Sequence, residues 1–235
     1  MSRRFRPTRS CFAMLASSLL LTPPLLGAQG SPVVDEGSFT ITQQGNPYGR
    51  EAFRIVRTPA PGGQVYRATG QGALGDHRVT SVLGVDSTGV PLSYESDVTI
   101  RGEVVQHLQG RGRPGRFSIL NQTKAGEAAR EYVLNAGALL LDGDFIHHYF
   151  FVPFVGDHGT LSVIAPRNAQ QLRFTLEDAG ADNLELAGKV VESRHFVLKA
   201  SDGARRDVWV DGRGRLLKVV IPERGLIAVR DELPR

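Results

Sequence analysis

The chain has 235 residues, with 28 Lys+Arg against 24 Asp+Glu and six histidines. Four of the arginines, Arg3, Arg4, Arg6 and Arg9, lie at the extreme N-terminus, and without them the count is 24 against 24. The basic excess therefore belongs to that end alone, and the near-neutral remainder gives no reason to expect nucleic acid as a partner.

Those arginines head an apolar run from Cys11 to Leu21, broken by Thr22, Pro23 and Pro24, and the stretch ends on the small residues of Leu26-Gly27-Ala28. This is the layout of a secretory signal peptide. The run is shorter than the ~20 apolar residues that span a bilayer. The expectation is a signal peptide over 1–28, a flexible mature N-terminus over 29–36, and an exported, periplasmic protein. After cleavage no transmembrane anchor is expected, and contact with a membrane would be peripheral. The single cysteine, Cys11, lies in this leader. The mature chain is thus expected to hold no disulfide and no thiolate ligand, and to depend on its core. Cys11 stands at the start of the apolar run rather than its end, which argues against lipid attachment there.

Beyond residue 37 the chain reads as strands separated by turns. Ser38 to Thr42 alternates apolar and polar residues, the mark of a half-buried strand. Ala52 to Val56 and Val65 to Thr69 repeat the pattern across the turn residues of Pro59-Ala60-Pro61-Gly62-Gly63. Arg78 to Val85 and Leu92 to Ser96 follow, then one long strand over Val98 to Leu108 and another over Arg116 to Gln122. Between these two, Gly110-Arg111-Gly112-Arg113-Pro114-Gly115-Arg116 is basic and reads as a solvated hairpin tip. Glu131 to Leu134 comes next. After position 160 the same reading gives Thr160 to Ile164, Gln171 to Glu177, Leu184 to Glu192 and His195 to Lys199. Asp207 to Val210 and Leu216 to Ile221 flank Asp211-Gly212-Arg213-Gly214, whose residues tolerate positive φ and suit a hairpin. Leu226 to Val229 closes the chain. The fold class expected is all-β: a single strongly curved antiparallel sheet, a half-barrel or open barrel, forming one domain over 37–233.

One segment near 143–155 breaks the rhythm. Asp142 to Val155 holds four of the eleven phenylalanines and two of the six histidines. Asp142 or Asp144 could cap a short helix there, and Pro153 would end it. The segment is apolar on nearly every face, so it must be buried in this protein, a ligand or a partner.

Asp142, Asp144, His147, His148 and His158 could together serve metal or acid/base chemistry. The spacing fits no familiar zinc helix, and adjacent histidines point in different directions. The simpler reading is capping carboxylates and satisfied core histidines, with no metal and no cofactor. No Gly-x-Ser-x-Gly elbow occurs in the chain, which argues against serine catalysis. Trp209, the only tryptophan, faces opposite to Val208 and Val210 in a strand. It packs in a core or lid, or it forms a wall of a ligand cavity.

The stretch Asp207-Val208-Trp209-Val210-Asp211, with Gly214-Arg215-Leu216-Leu217-Lys218-Val219, resembles the ending of a group of exported bacterial all-β domains. Together with the leader and Gly89-Val90-Pro91-Leu92-Ser93-Tyr94, the plan is similar to the LolA/LolB superfamily of periplasmic lipoprotein carriers and glycolipid-binding proteins. That resemblance implies a half-barrel around an apolar cavity plugged by short helices, with a lipid or amphiphilic small molecule as ligand.

Three functions are weighed. The first is a non-enzymatic envelope protein that binds an amphiphile in the cavity, through Phe145, His148, Tyr149, Phe150, Phe151, Phe154 and Trp209. The second is a structural or interaction module with a filled core. The third is a hydrolase using Asp144, His147, His148 and His158. A filled interior favours the second, a continuous apolar cavity favours the first, and convergence of the polar side chains would favour the third.

Overall fold

Residues 31–143 and 145–235 are described by a computed structural model of the chain. The expected leader and Asp144 lie outside the described residues. Ser31–Arg235 makes one compact unit.

Fifteen strands occur among the described residues. The first eight are β1 (Val33–Gln43), β2 (Asn46–Ala60), β3 (Gly63–Leu74), β4 (His77–Asp86), β5 (Pro91–Ile100), β6 (Glu103–Arg113), β7 (Arg116–Thr123) and β8 (Gly126–Val133). Then come β9 (Ala138–Leu140), β10 (His158–Ala165), β11 (Gln170–Leu186), β12 (Lys189–Ala200), β13 (Arg205–Val210), β14 (Leu216–Ile221) and β15 (Leu226–Arg230). They form one sheet in the order β8 to β1, then β15 down to β9. All pairings are antiparallel except the short one between β9 and β10. The protein is all-β, with one large open sheet, as the sequence predicts.

The order divides the chain into two meanders, β1–β8 and β10–β15, zipped together where β1 pairs β15. Arg230 sits at this joint. Its Nη1 and Nη2 donate to both oxygens of Asp35 at 3.0 and 2.8 Å, and its guanidinium lies 5.3 Å from the Phe53 ring centre. Burial pushes the Asp35 carboxyl up, more than Arg230 pulls it down. The sheet ends β8 and β9 are not joined by a ladder. Instead the Gln171 side-chain amide stands in for a strand: its Nε2 donates to the Val133 carbonyl at 2.7 Å and its Oε1 accepts the Val133 N–H at 3.1 Å. Arg130 also donates to the Ala169 carbonyl, so β8 meets the β10–β11 turn through side chains.

The chain passes from β8 to β9, the two ends of the sheet order, over residues 134–137, and a 3-10 helix, Ile146–Val155, then joins β9 to its parallel neighbour β10 and packs against β3, β9, β13 and β14. These strands are far apart in the sheet order, so the helix fills the interior as a plug. Phe145, Ile146, Tyr149, Phe150, Phe151 and Val152 are all at most 2% exposed. Each side chain of this size contributes about 1.5–3 kcal/mol of transfer free energy on burial.

The structure corrects four details. Val98 to Leu108 is not one strand: Arg101 (φ 51°) and Gly102 (φ 87°) turn it into the β5–β6 hairpin. Leu184 to Glu192 is likewise a hairpin, turned at Ala187 (φ 50°) and Gly188 (φ 73°), so that its halves end β11 and begin β12. β9 was not expected, because three consecutive apolar residues carry no period. Pro153 lies inside the 3-10 helix rather than ending it. The 3-10 helix has no side-chain cap from its own chain neighbours; its first N–H groups are taken by β2 instead. The basic stretch around Pro114 and Gly115 does form the β6–β7 hairpin tip.

Candidate functional site: a buried hydrogen-bond chain at the plug

Inward-facing positions of β2 are Glu51, Phe53 and Ile55, and Glu51 is completely buried. Its carboxylate takes three N–H groups from the plug. Oε2 accepts the Ile146 N–H at 2.8 Å, and Oε1 accepts the His147 N–H and His147 Nδ1–H, each at 2.9 Å. A buried carboxylate is tolerated only when so satisfied.

Nδ1 of His147 donates to Glu51, so in a ring carrying that one proton Nε2 is an acceptor. It faces the Ser81 hydroxyl at 3.3 Å. His148 has the opposite tautomer. Its Nδ1 accepts the Asp142 N–H at 3.3 Å, which leaves the proton on Nε2, 3.4 Å from the same Ser81 oxygen. The chain therefore has one direction: Asp142 N–H to His148, His148 to Ser81, Ser81 to His147, His147 to Glu51. A backbone donor fixes one end and a carboxylate fixes the other. Burial holds the His148 imidazole well below its ordinary pKa, and His147 and the Arg167 guanidinium lower it further.

The Asp142 carboxylate continues the network. Oδ2 accepts the Tyr94 hydroxyl at 2.5 Å and Arg167 Nη2 at 3.2 Å, and that nitrogen also donates to Ser96 Oγ at 3.2 Å. Burial, then the Asp142 charge, pushes the Tyr94 phenol well up. Backbone shape serves the same cluster. A Cβ at Gly70 would lie 2.2 Å from His147 Cε1, so only glycine admits the ring there.

Six of the seven residues expected to line a cavity belong to the plug segment. Phe145, His148, Tyr149, Phe150 and Phe151 are buried against the protein's own strands, and Phe154 is half-buried against Tyr66 at 5.1 Å. Trp209 is not with them. Val208 and Val210 face the plug, so alternation puts Trp209 on the outer face. There it packs with Leu186 and Leu217, stacks on His195 at 4.2 Å and donates Nε1–H to Asp182 at 2.8 Å. Of the polar cluster, His147 and His148 adjoin at 4.6 Å between rings, whereas His158 is exposed at the start of β10. Asp144 lies outside the described residues. No group of three or more His, Cys, Asp or Glu side chains positioned to hold a metal ion occurs among the described residues.

Sequence reasoning missed Glu51, Ser81, Tyr94 and Arg167. The usable signal was phase: Glu51 shares its strand parity with Phe53 and Ile55, and Ser81 shares its own with Val79 and Leu83.

No family model matches the chain, and no curated protein matches it either. Among solved structures, the chain is similar to a β-barrel-like protein of the domain of unknown function DUF1849 from Brucella abortus. The two share 8% sequence identity with a TM-score of 0.52, over 83% of this chain and 94% of that one. At that identity the likeness carries the fold alone: a barrel-like, all-β architecture.

Proposed function

We propose that this protein is a non-enzymatic, exported module of the cell envelope. Its filled, barrel-like fold is a rigid scaffold that acts through its rims and outer surface. Export rests on the leader pattern of residues 1–28. The scaffold reading rests on one observation: Phe145 to Val152, the segment that would line a ligand cavity, is itself 0–2% exposed and pinned by Glu51. An amphiphile held in the interior would have to displace this plug and break all three bonds to Glu51. The LolA/LolB-like carrier function needs that displacement, so plug burial lends it no support.

Hydrolysis fares no better. Ser81, His147 and Glu51 have the order of hydroxyl, imidazole and carboxylate that activates a serine nucleophile. Ser81 is only 3% exposed, however, and its hydroxyl is shared between two imidazoles in the interior. The arrangement serves as a latch.

The test is native mass spectrometry of the protein from Gln29 onward, purified without lipid extraction and then challenged with phospholipid. The bare polypeptide mass in both samples agrees with the scaffold. A stoichiometric bound lipid that is lost on Tyr149→Asp, in a protein that still folds, contradicts it.

A further inference from the structure

Antiparallel alternation brings the β4–β5 turn, the β6–β7 hairpin tip and the β8–β9 link to one end of the sheet. Between them opens a cleft of about 450 Å³. Val90, Pro91, Leu92, Pro114, Leu134 and Ala136 give it apolar walls. Leu92 accounts for the hollow. It has the strand parity of Tyr94, Ser96 and Val98, which are all buried, yet 41% of its own surface is exposed. Its neighbour on β6, next to the Ser93–Arg111 pair, is Gly112, which offers no side chain to cover it. A Cβ at Gly112 would lie 2.7 Å from the Pro91 carbonyl oxygen, so the close approach of the two strands keeps that position bare.

Two cations stand at this cleft with no acceptor among the described residues. Arg113 lines it, and Arg111 lies two residues away on the same face of β6. Arg113 is also directly opposite Arg116 in the β6–β7 ladder. Like charges so placed destabilise a sheet. Arg116 is relieved by Glu131, whose Oε2 accepts from its Nη1 at 3.0 Å, while Oε1 of the same carboxylate accepts the Ser118 hydroxyl at 3.2 Å. That leaves the Arg113 charge unmatched. Asn135, also in the lining, has a side-chain amide with no hydrogen bond among the described residues. Guanidinium and amide thus hold N–H donors at the edge of an apolar hollow, the usual form of a small-ligand site.

We propose that this rim cleft binds a single-chain amphiphile with an anionic head, a carboxylate or a phosphate. The head meets Arg113, with the Asn135 amide as a second donor and Arg111 adding positive charge from the same strand. The tail covers Leu92 and lies against Val90, Pro91, Pro114 and Leu134. An anion here relieves the opposition of Arg113 and Arg116, and the tail buries the inward-facing leucine that the sheet leaves bare. At about 30 Å³ for each non-hydrogen atom, the cleft holds roughly fifteen, one acyl chain rather than the two of a phospholipid. The site lies at the rim and leaves the plug in place, so the inference does not depend on the scaffold reading.

Isothermal titration of the protein from Gln29 onward with decanoate and with decyl phosphate, each below its micellar concentration, tests the site, and the tighter of the two names the head. Acetate and inorganic phosphate supply the heads alone, and decanol the tail alone. The expected result is one saturable site per chain for the tighter amphiphile, with its head alone and decanol each binding at least tenfold more weakly. Arg113→Glu should weaken that amphiphile at least tenfold; the side chain is exposed at a hairpin tip, and the new carboxylate would face Arg116, so the variant is expected to fold. Leu92→Ser should weaken it through the tail. Arg213→Glu, the same charge change in the exposed β13–β14 turn, should leave binding as in the wild type. No saturable binding to the folded wild type, decanol binding as tightly as the amphiphile, or equal losses in Arg113→Glu and Arg213→Glu would each overturn the proposal.

Discussion

Gly70 stands where the His147 ring needs the space of a side chain. A methyl group there would sit 2.2 Å from Cε1, with ring atoms Nδ1 and Nε2 close behind. The ring is not at the end of a flexible chain; it is held by Glu51 on one side and Ser81 on the other. Gly70→Ala should therefore lower stability by about 1–3 kcal/mol, the range for overpacking a core. Gly212→Ala is the control, because nothing lies within 4 Å of its added Cβ. Urea midpoints of the two variants should separate clearly, and equal midpoints would mean that His147 is not seated against β3. The same cluster predicts a pH dependence. His148 is neutral when folded, with its pKa well below the ordinary value, whereas the unfolded chain takes up a proton near pH 6.5. As pH falls below about 6.5 the unfolded state binds the extra proton, and stability falls by up to about 1.4 kcal/mol per pH unit until the folded pKa is reached. Stability from this group is thus present above about pH 6.5 and lost below it. The carboxyls held below their usual range, Asp178, Asp182 and Asp207, lose their contribution only around and below about pH 4. Urea midpoints measured from about pH 7 to 5 should therefore fall in the wild type. They should fall less in His148→Gln, whose amide accepts and donates but does not titrate. Parallel slopes would place the proton uptake elsewhere.

At the scale of elements, the two ends of the open sheet are tied by side chains, Gln171 and Arg130. Gln171 gives Val133 both hydrogen bonds that a neighbouring strand would give, while its Nε2 also donates to Ser162 Oγ at 2.7 Å. These are exposed bonds, so Gln171→Ala should cost only about 0.5–1.5 kcal/mol globally. Its local effect should be larger: faster hydrogen exchange at the Val133 amide, with the plug amides unchanged. Unaltered Val133 exchange would show that the seam is held by something other than this amide. Elements differ in how far the sequence announces them. Long alternating strands such as β2 and β7 are legible because one face is buried and the other wet. The β5–β6 and β11–β12 turns are not, because Arg101 and Ala187 adopt positive φ without the usual glycine or asparagine at that position. The plug is legible as a buried segment from its composition alone. Its latch is not: Glu51 in an alternating strand reads as a solvent-facing carboxylate until the register is known, and a shift of one residue reverses every face. Trp209 illustrates the same limit. Its opposition to Val208 and Val210 is plain in the sequence, but only the assembled sheet shows that the valines face the plug and the indole faces His195 and Asp182.

For the whole molecule, the account turns on the plug as a permanent part of the core. Two meanders meet at β1 and β15, and the segment between β9 and β10 fills the interior. The Ile146 and His147 amides report on it most directly, since both donate to the buried Glu51 carboxylate. Native-state hydrogen exchange of these two amides, followed by NMR with and without phospholipid vesicles, is the deciding measurement. The account predicts that both exchange only through global unfolding, at the same free energy as core amides of β3 and β14, and that vesicles change neither. Exchange through a local opening of much lower free energy, accelerated by vesicles, would mean that the plug leaves the barrel to admit a ligand and would contradict the filled-scaffold account.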